Sequence, residues 1–340
     1  MRRSNSASPR LIVPLRTGLS GASLCLALLS ACGGAAPSLG GQLHAVLAAD
    51  DHRGTEEALV ILRDGLASTD AGVRAAAVRA LGRLERVEFA EEIATMRRAD
   101  DDPSVRLAAT HALAQAASAS DGDAVAELLA VVLADDPESE VRGAAATGLG
   151  RLRYGNPARV AAVEQYLLAA MPSQDPALAE GVARGFAALL RGHRHLQPQP
   201  ETLRLLADLS TPSRGLVDAG ELGRTAATEA LLTAGRLRGE SLQRASKSPT
   251  TEVRRIAARA YAHDHVTAAS VLFDAALRDE SRLVRVEALR ALRGKDNPET
   301  VCDRYQAALH DEWLPMRLAA IDAVGACANG ESLLETIADG

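Results

Sequence analysis

The chain has 340 residues, a formal net charge of −6, 47% hydrophobic residues and only 2% aromatics. The acidic balance argues against general nucleic-acid binding, which rests on phosphate neutralisation, and the aromatic content excludes a core built on large rings. A core of Ala, Leu and Val needs closely approaching helices, because small side chains fill little space.

Residues 1–31 carry Arg2, Arg3, Arg10 and Arg16 and no acid, so the remainder holds 34 basic against 44 acidic residues. Residues 17–31, TGLSGASLCLALLSA, are apolar or small. That run is short for a spanning helix, which needs about 20 residues. A basic start, a short apolar run and small residues before a cut describe a secretory signal. Leu29-Ser30-Ala31-Cys32 resembles the lipobox of bacterial lipoproteins. The resemblance implies that the Cys32 thiol is lipidated and that Cys32 becomes the first residue. An ordinary signal peptide cut near Ala36 is the alternative. The expected layout is a lipoprotein signal over 1–31, a flexible tether over 32–41 and a repeat array over 42–340. The expected location is the bacterial cell envelope, lipid-anchored to the inner or outer membrane by a diacylglyceryl group on Cys32.

From residue 42 onward one phrase recurs, Val-Arg-x-x-Ala-x-x-Ala-Leu. Clear copies start at Val73, Val105, Val141, Val253, Val284 and Met316, with neighbours 31 to 36 residues apart. Degraded copies over 175–189 and 221–232 bring the total to eight units. Each unit reads as two helices. The second has apolar or small residues at 0, +4, +7 and +8 from the valine, one face of a 3.6-residue period. The first is a shorter amphipathic run, such as 55–66, 123–134 or 299–309. Ser68, Asp100, Asp136, Ser248, Asp279 and Asp311 stand six residues before the arginine and are read as N-caps of the second helices. Pro103 and Pro137 are read as first-turn prolines. Neither helix can bury its face alone, so neighbouring units must stack.

The Val-Arg pair, the Asp-Pro turn and the Ala-Ala-x-x-Ala-Leu helix resemble HEAT repeats of the short bacterial type. The resemblance implies an all-α, right-handed α-solenoid of antiparallel helix pairs, and a scaffold or adaptor that binds protein or peptide partners without catalysis. Arg74 and its equivalents are expected to bond caps and carbonyls of adjacent units. The chain also resembles the front part of larger bacterial lipoproteins in which a HEAT array precedes a cyclophilin-type prolyl isomerase domain. That similarity leaves the alternative of a non-catalytic arm whose catalytic domain lies beyond Gly340. Residues 330–340 read as the first helix of an incomplete ninth unit.

Residues 191–201 and 210–223 are rich in Gly, Pro and polar residues and read as loops in a weakened middle. A plain long connection is preferred there to a hinge or contact insertion. His193-Arg194-His195 and His263-Asp264-His265 each offer two imidazoles, where a metal site wants three or four ligands; solvated loop histidines are preferred, with no metal and no cofactor expected. Cys302 and Cys327 are placed on the two helices of the eighth unit. At 1.5 Å per residue their axial offset is about 9 Å, which favours buried free thiols over a disulfide. Positions +2 and +6 from each valine are read as pointing outward. They place Arg255, Arg259 and Arg290 on one ridge with Arg293 nearby; together with Trp313 these form the candidate partner-binding surface. A solvated, locally neutralised face is the preferred reading of the ridge.

Overall fold

The computed structural model describes residues 38–340, apart from 53, 119–121, 172–173, 212–216, 264–265, 268–269, 296 and 339–340. The signal, Cys32 and residues 33–37 therefore lie outside the described residues. Among those that are described every regular element is helical, and none is a helix long and apolar enough to cross a membrane.

The first helix, α1 (Leu39–Asp51), begins inside the stretch expected to be tether, where the Ser38 side chain accepts from the Gly41 amide. Eight pairs follow: α2 (Glu56–Leu66) with α3 (Ala71–Arg83), α4 (Ala90–Ala99) with α5 (Pro103–Ala116), α6 (Asp123–Asp135) with α7 (Ser139–Arg151), and α8 (Pro157–Ala169) with α9 (Pro176–Gly192). The second half continues with α10 (Pro200–Ser210) and α11 (Gly220–Thr233), α12 (Gly239–Ser246) and α13 (Thr251–Ala260), α14 (Val271–Leu277) and α15 (Arg282–Ala291), and α16 (Pro298–Ala308) and α17 (Leu314–Val324). The unpaired α18 (Gly330–Ala338) closes the described chain. Outside the fourth and fifth units, connections of three to five residues fold each second helix back on its first, and second helices of successive units lie side by side from α3 to α17.

Burial follows the repeat. Val105, Ala109 and Leu113 on α5 are at most 1% exposed, as are Val141, Ala145 and Leu149 on α7. These faces stack into one continuous apolar cluster, the arrangement in which each unit covers what its neighbour cannot. The +2 and +6 positions do not form a uniformly outward row. Ala75, Gly143, Thr147 and Val286 are buried, whereas Arg79, His111, Arg290 and Asp322 are exposed. The reason is lateral: each second helix is flanked by the next unit as well as backed by its first helix, so its buried arc is wider than one amphipathic stripe.

The expected N-caps are two residues early. The second helices are capped at Asp70, Asp102, Glu138, Thr250, Ser281 and Trp313. Asp100, Asp136, Asp279 and Asp311 accept instead from the amide of the cap residue itself, at 2.8–3.0 Å, and Ser68 and Ser248 do so at 3.2 Å. This turn, closed by a side chain two residues back, leaves the outer carboxylate edge open to the arginine of the preceding unit. Arg74 grips Asp100 through two nitrogens at 2.7 and 2.9 Å while its third donates to the carbonyls of Ser68 and Thr69. Arg106 repeats this on Asp136, and Arg254 on Asp279. The arginine thus bonds the carbonyls of its own turn and the carboxylate of the next unit. Pro103 opens α5 as expected, but Pro137 lies outside α7, before its cap Glu138.

The middle of the array is where the phrase degrades and where the backbones come closest. The fourth unit has Ala179 at the arginine position, so it cannot contribute a link of the ladder. Small residues take over: a Cβ on Gly143 would stand 2.7 Å from the Ala177 carbonyl oxygen, and one on Gly181 would strike three backbone atoms of Gly143. The weak sequence signal over 175–189 therefore marks tight packing of α7 on α9.

The cysteine reading is overturned. Cys302 and Cys327 form a disulfide with a Cα–Cα distance of 5.8 Å. The offset argument fails because α17 ends at Val324. Cys327 therefore lies in the turn leading to α18 and is free of the helical rise that would have carried it past Cys302.

Candidate functional site

Helices α13 and α15 do bring the ridge arginines onto adjacent rows, but acidic residues come with them. Arg255 donates to Glu252 at 2.6 and 2.8 Å and to Glu287 at 3.0 Å; Arg259 donates to Glu229 at 2.7 Å; Arg290 stands 3.9 Å from Glu287. The hydrogen bond to Glu252, aided by Glu287, holds the Arg255 guanidinium protonated beyond its ordinary range. Arg293 has no ion pair among the described residues. It lines a groove of about 460 Å³ between α15 and α17 with Tyr305, Leu318 and Asp322. Trp313 is the N-cap of α17, half-buried against the core. The +2 and +6 positions trace one row of each helix and do not reveal Glu229, Glu252 or Glu287. The acids sit on neighbouring rows and neighbouring units.

A second stretch of the same face runs along α5, α7 and α9. Leu107, His111, Thr147, Glu180 and Arg184 line a groove of about 250 Å³. Desolvation in the groove lowers the His111 pKa, and the charges of Arg151, Arg184 and Arg79 act in the same direction. Arg184 pairs with Glu180 at 3.2 Å, whereas Arg79 and Arg151 are exposed with no ion pair among the described residues. Arg79 and His111 stand at the +6 positions of their helices, whereas Arg151, ten residues after Val141, falls beyond the repeated phrase.

The first histidine motif is divided by the fold. His193, the C-cap of α9, accepts at Nε2 from the Tyr154 amide at 3.4 Å, and the tautomer that this requires lets Nδ1 donate to the Leu189 carbonyl at 3.2 Å. Its ring stacks on Tyr154 at 5.6 Å between centroids. Tyr154 is itself buried and donates its hydroxyl to the Leu149 carbonyl at 2.6 Å; burial pushes its pKa up. Both His193 nitrogens are therefore occupied, while His195 is exposed. Of the other motif, Asp264 and His265 lie outside the described residues. No group of three or more metal-ligating side chains occurs among the described residues. Glu164, 2% exposed, accepts from the Gln199 amide and the Thr202 hydroxyl. It caps the amino end of α10, where a carboxylate complements the helix dipole.

Comparison with protein families matches HEAT repeats over residues 28–114 and 90–183. No curated protein sequence matches the chain. Among solved structures, a crystal structure of an engineered protein from a structural genomics consortium is 19% identical; the match covers 88% of each chain, with a TM-score of 0.44. The repeated helix pairs form an α-solenoid, and its first part, residues 28–183, is similar to HEAT repeats.

Proposed function

We propose that this protein is a non-catalytic scaffold, exported and tethered by lipid on Cys32 to a bacterial envelope membrane, that holds protein or peptide partners along its second helices. The observation that carries the reading is the uninterrupted side-by-side run of second helices from α3 to α17. Such a run offers an extended partner one continuous surface, with nearest-neighbour packing behind it. The unpaired Arg79 and Arg151 lie on it, and so do the ridge residues Arg255, Arg259 and Arg290, with Arg293 and Trp313 at the following turns. Two further features support export: the Leu-Ser-Ala-Cys stretch at 29–32, and the Cys302–Cys327 disulfide, a bond that persists in oxidising compartments.

The test combines fractionation with site-specific photocrosslinking in intact cells. Cys32→Ser should leave precursor or release the protein from membranes; a mature, membrane-bound Cys32→Ser form removes the anchor from the proposal. Crosslinkers at Arg79 and Arg290 should capture partners, and one at Val60, on the exposed side of first helix α2, should not. Equal capture at all three sites refutes the second-helix surface.

A further inference from the structure

A cleft of about 730 Å³ lies at the C-terminal end of α9 and is bounded by Tyr154, Pro157, Val160 and residues 191–197. We propose that this cleft binds a small anionic amphiphile, seating an apolar body against Tyr154, Val160 and Leu196 and a carboxylate or phosphate head at Arg191, Arg194 and His195.

Three observations carry the inference. The volume falls within the roughly 300–1,000 Å³ range of small-molecule sites. The wall is rigid: the Tyr154 hydroxyl is fixed on Leu149, and the His193 ring stacks on Tyr154 with both nitrogens engaged. Finally, no acidic residue lines the cleft, although the chain as a whole carries −6. Arg191, Arg194 and His195 are exposed, and their side chains make no hydrogen bond or ion pair among the described residues. Elsewhere in the array the repeat arginines are held by carboxylates or carbonyls; here two arginines and an imidazole converge on one short segment without a counter-charge. A guanidinium recognises a carboxylate or phosphate by paired N–H donors, and the apolar wall selects for a body that prefers to leave water. The inference is independent of the partner surface on the second helices.

The test uses the full chain bearing Cys32→Ser, so that no detergent competes, with selectively labelled histidines. Decanoate should shift the His193 and His195 ring signals saturably, and decyl phosphate should do the same if the head site accepts either anion. Phosphate binding without decanoate binding would assign the site to phosphate heads. Decanol at equal concentration should bind at least about tenfold more weakly, since it lacks the charge-assisted bonds. The Arg191→Gln/Arg194→Gln chain, altered only at exposed positions, should lose about tenfold or more for decanoate and keep its weak response to decanol. Absence of a saturable shift with both anions, or equal affinity for decanol, overturns the proposal. An unchanged decanoate affinity in the double variant overturns the arginine head site.

Discussion

Two glycines of α9 should respond oppositely to the same substitution. Gly181 faces Gly143 across the α7–α9 contact, and a Cβ there would stand 2.5 Å from the Gly143 carbonyl carbon, with Cα and O of the same residue also in its way. Ordinary contact begins near 3.4 Å, so the helices must part by about 1 Å in a region packed at crystal-like density. The obstacle is backbone and cannot rotate aside. Overpacking costs about 1–3 kcal/mol, and the upper half of that range applies here. Replacing a helical glycine by alanine returns about 1 kcal/mol, so Gly181→Ala should lose about 1–2 kcal/mol in net. A Cβ on Gly192, at the other end of the helix, would meet nothing within 4 Å. Gly192→Ala should therefore be neutral or gain up to about 1 kcal/mol. Repeat arrays need not unfold as one unit, so urea denaturation should be accompanied by hydrogen exchange resolved to α7 and α9. The reasoning is refuted if Gly181→Ala matches or exceeds Gly192→Ala in stability and leaves the protection of α7 unchanged.

The remaining expectations concern the core, the ladder and the chain end. Leu113→Ala, at a site 1% exposed, should cost about 2–5 kcal/mol, while His111→Ala on the exposed side of the same helix should stay within about 0.5 kcal/mol; comparable losses in urea titrations would mean the helix face is reversed. The hydrogen bond from Arg74 holds Asp100 below its ordinary 3.8, and for Asp279 the bonds from Arg254 and the Ser281 amide outweigh opposing burial. Because both folded values are depressed, their stabilisation is present above about pH 4 and disappears as the pH falls through the folded values; Asp100→Asn should be less stable at neutral pH and lose less on acidification, and an unaltered acid transition would exclude the carboxylate from the ladder's stability. Reducing the disulfide, or Cys302→Ser, opens a loop of 25 residues worth about 3–4 kcal/mol in the chain-entropy account. The loss should appear in hydrogen exchange of α16 to α18 and leave α3 to α9 unchanged, whereas an array-wide loss would contradict nearest-neighbour stacking.

Local chemistry was enough to read the helices of the eight units, because each second helix repeats a buried apolar spacing and each first helix is amphipathic. The spacing of Val105, Ala109 and Leu113 alone specified which face turns inward. What stayed hidden involves residues remote in sequence. Asp100 and Asp136 are cap-type residues within any window of their own turn; only the stacking of units shows that their free edge receives an arginine 26 or 30 residues away. The glutamates that neutralise Arg255 and Arg259 come from adjacent rows and adjacent units. The Cys302–Cys327 bond depends on α17 stopping at Val324, a matter of a few residues at a helix end, where periodicity carries least information. The fourth unit shows the same division: its sequence loses the arginine and gains glycines, which looks like weakness along the chain. Only the approach of a second helix makes those glycines the closest-packed point of the array.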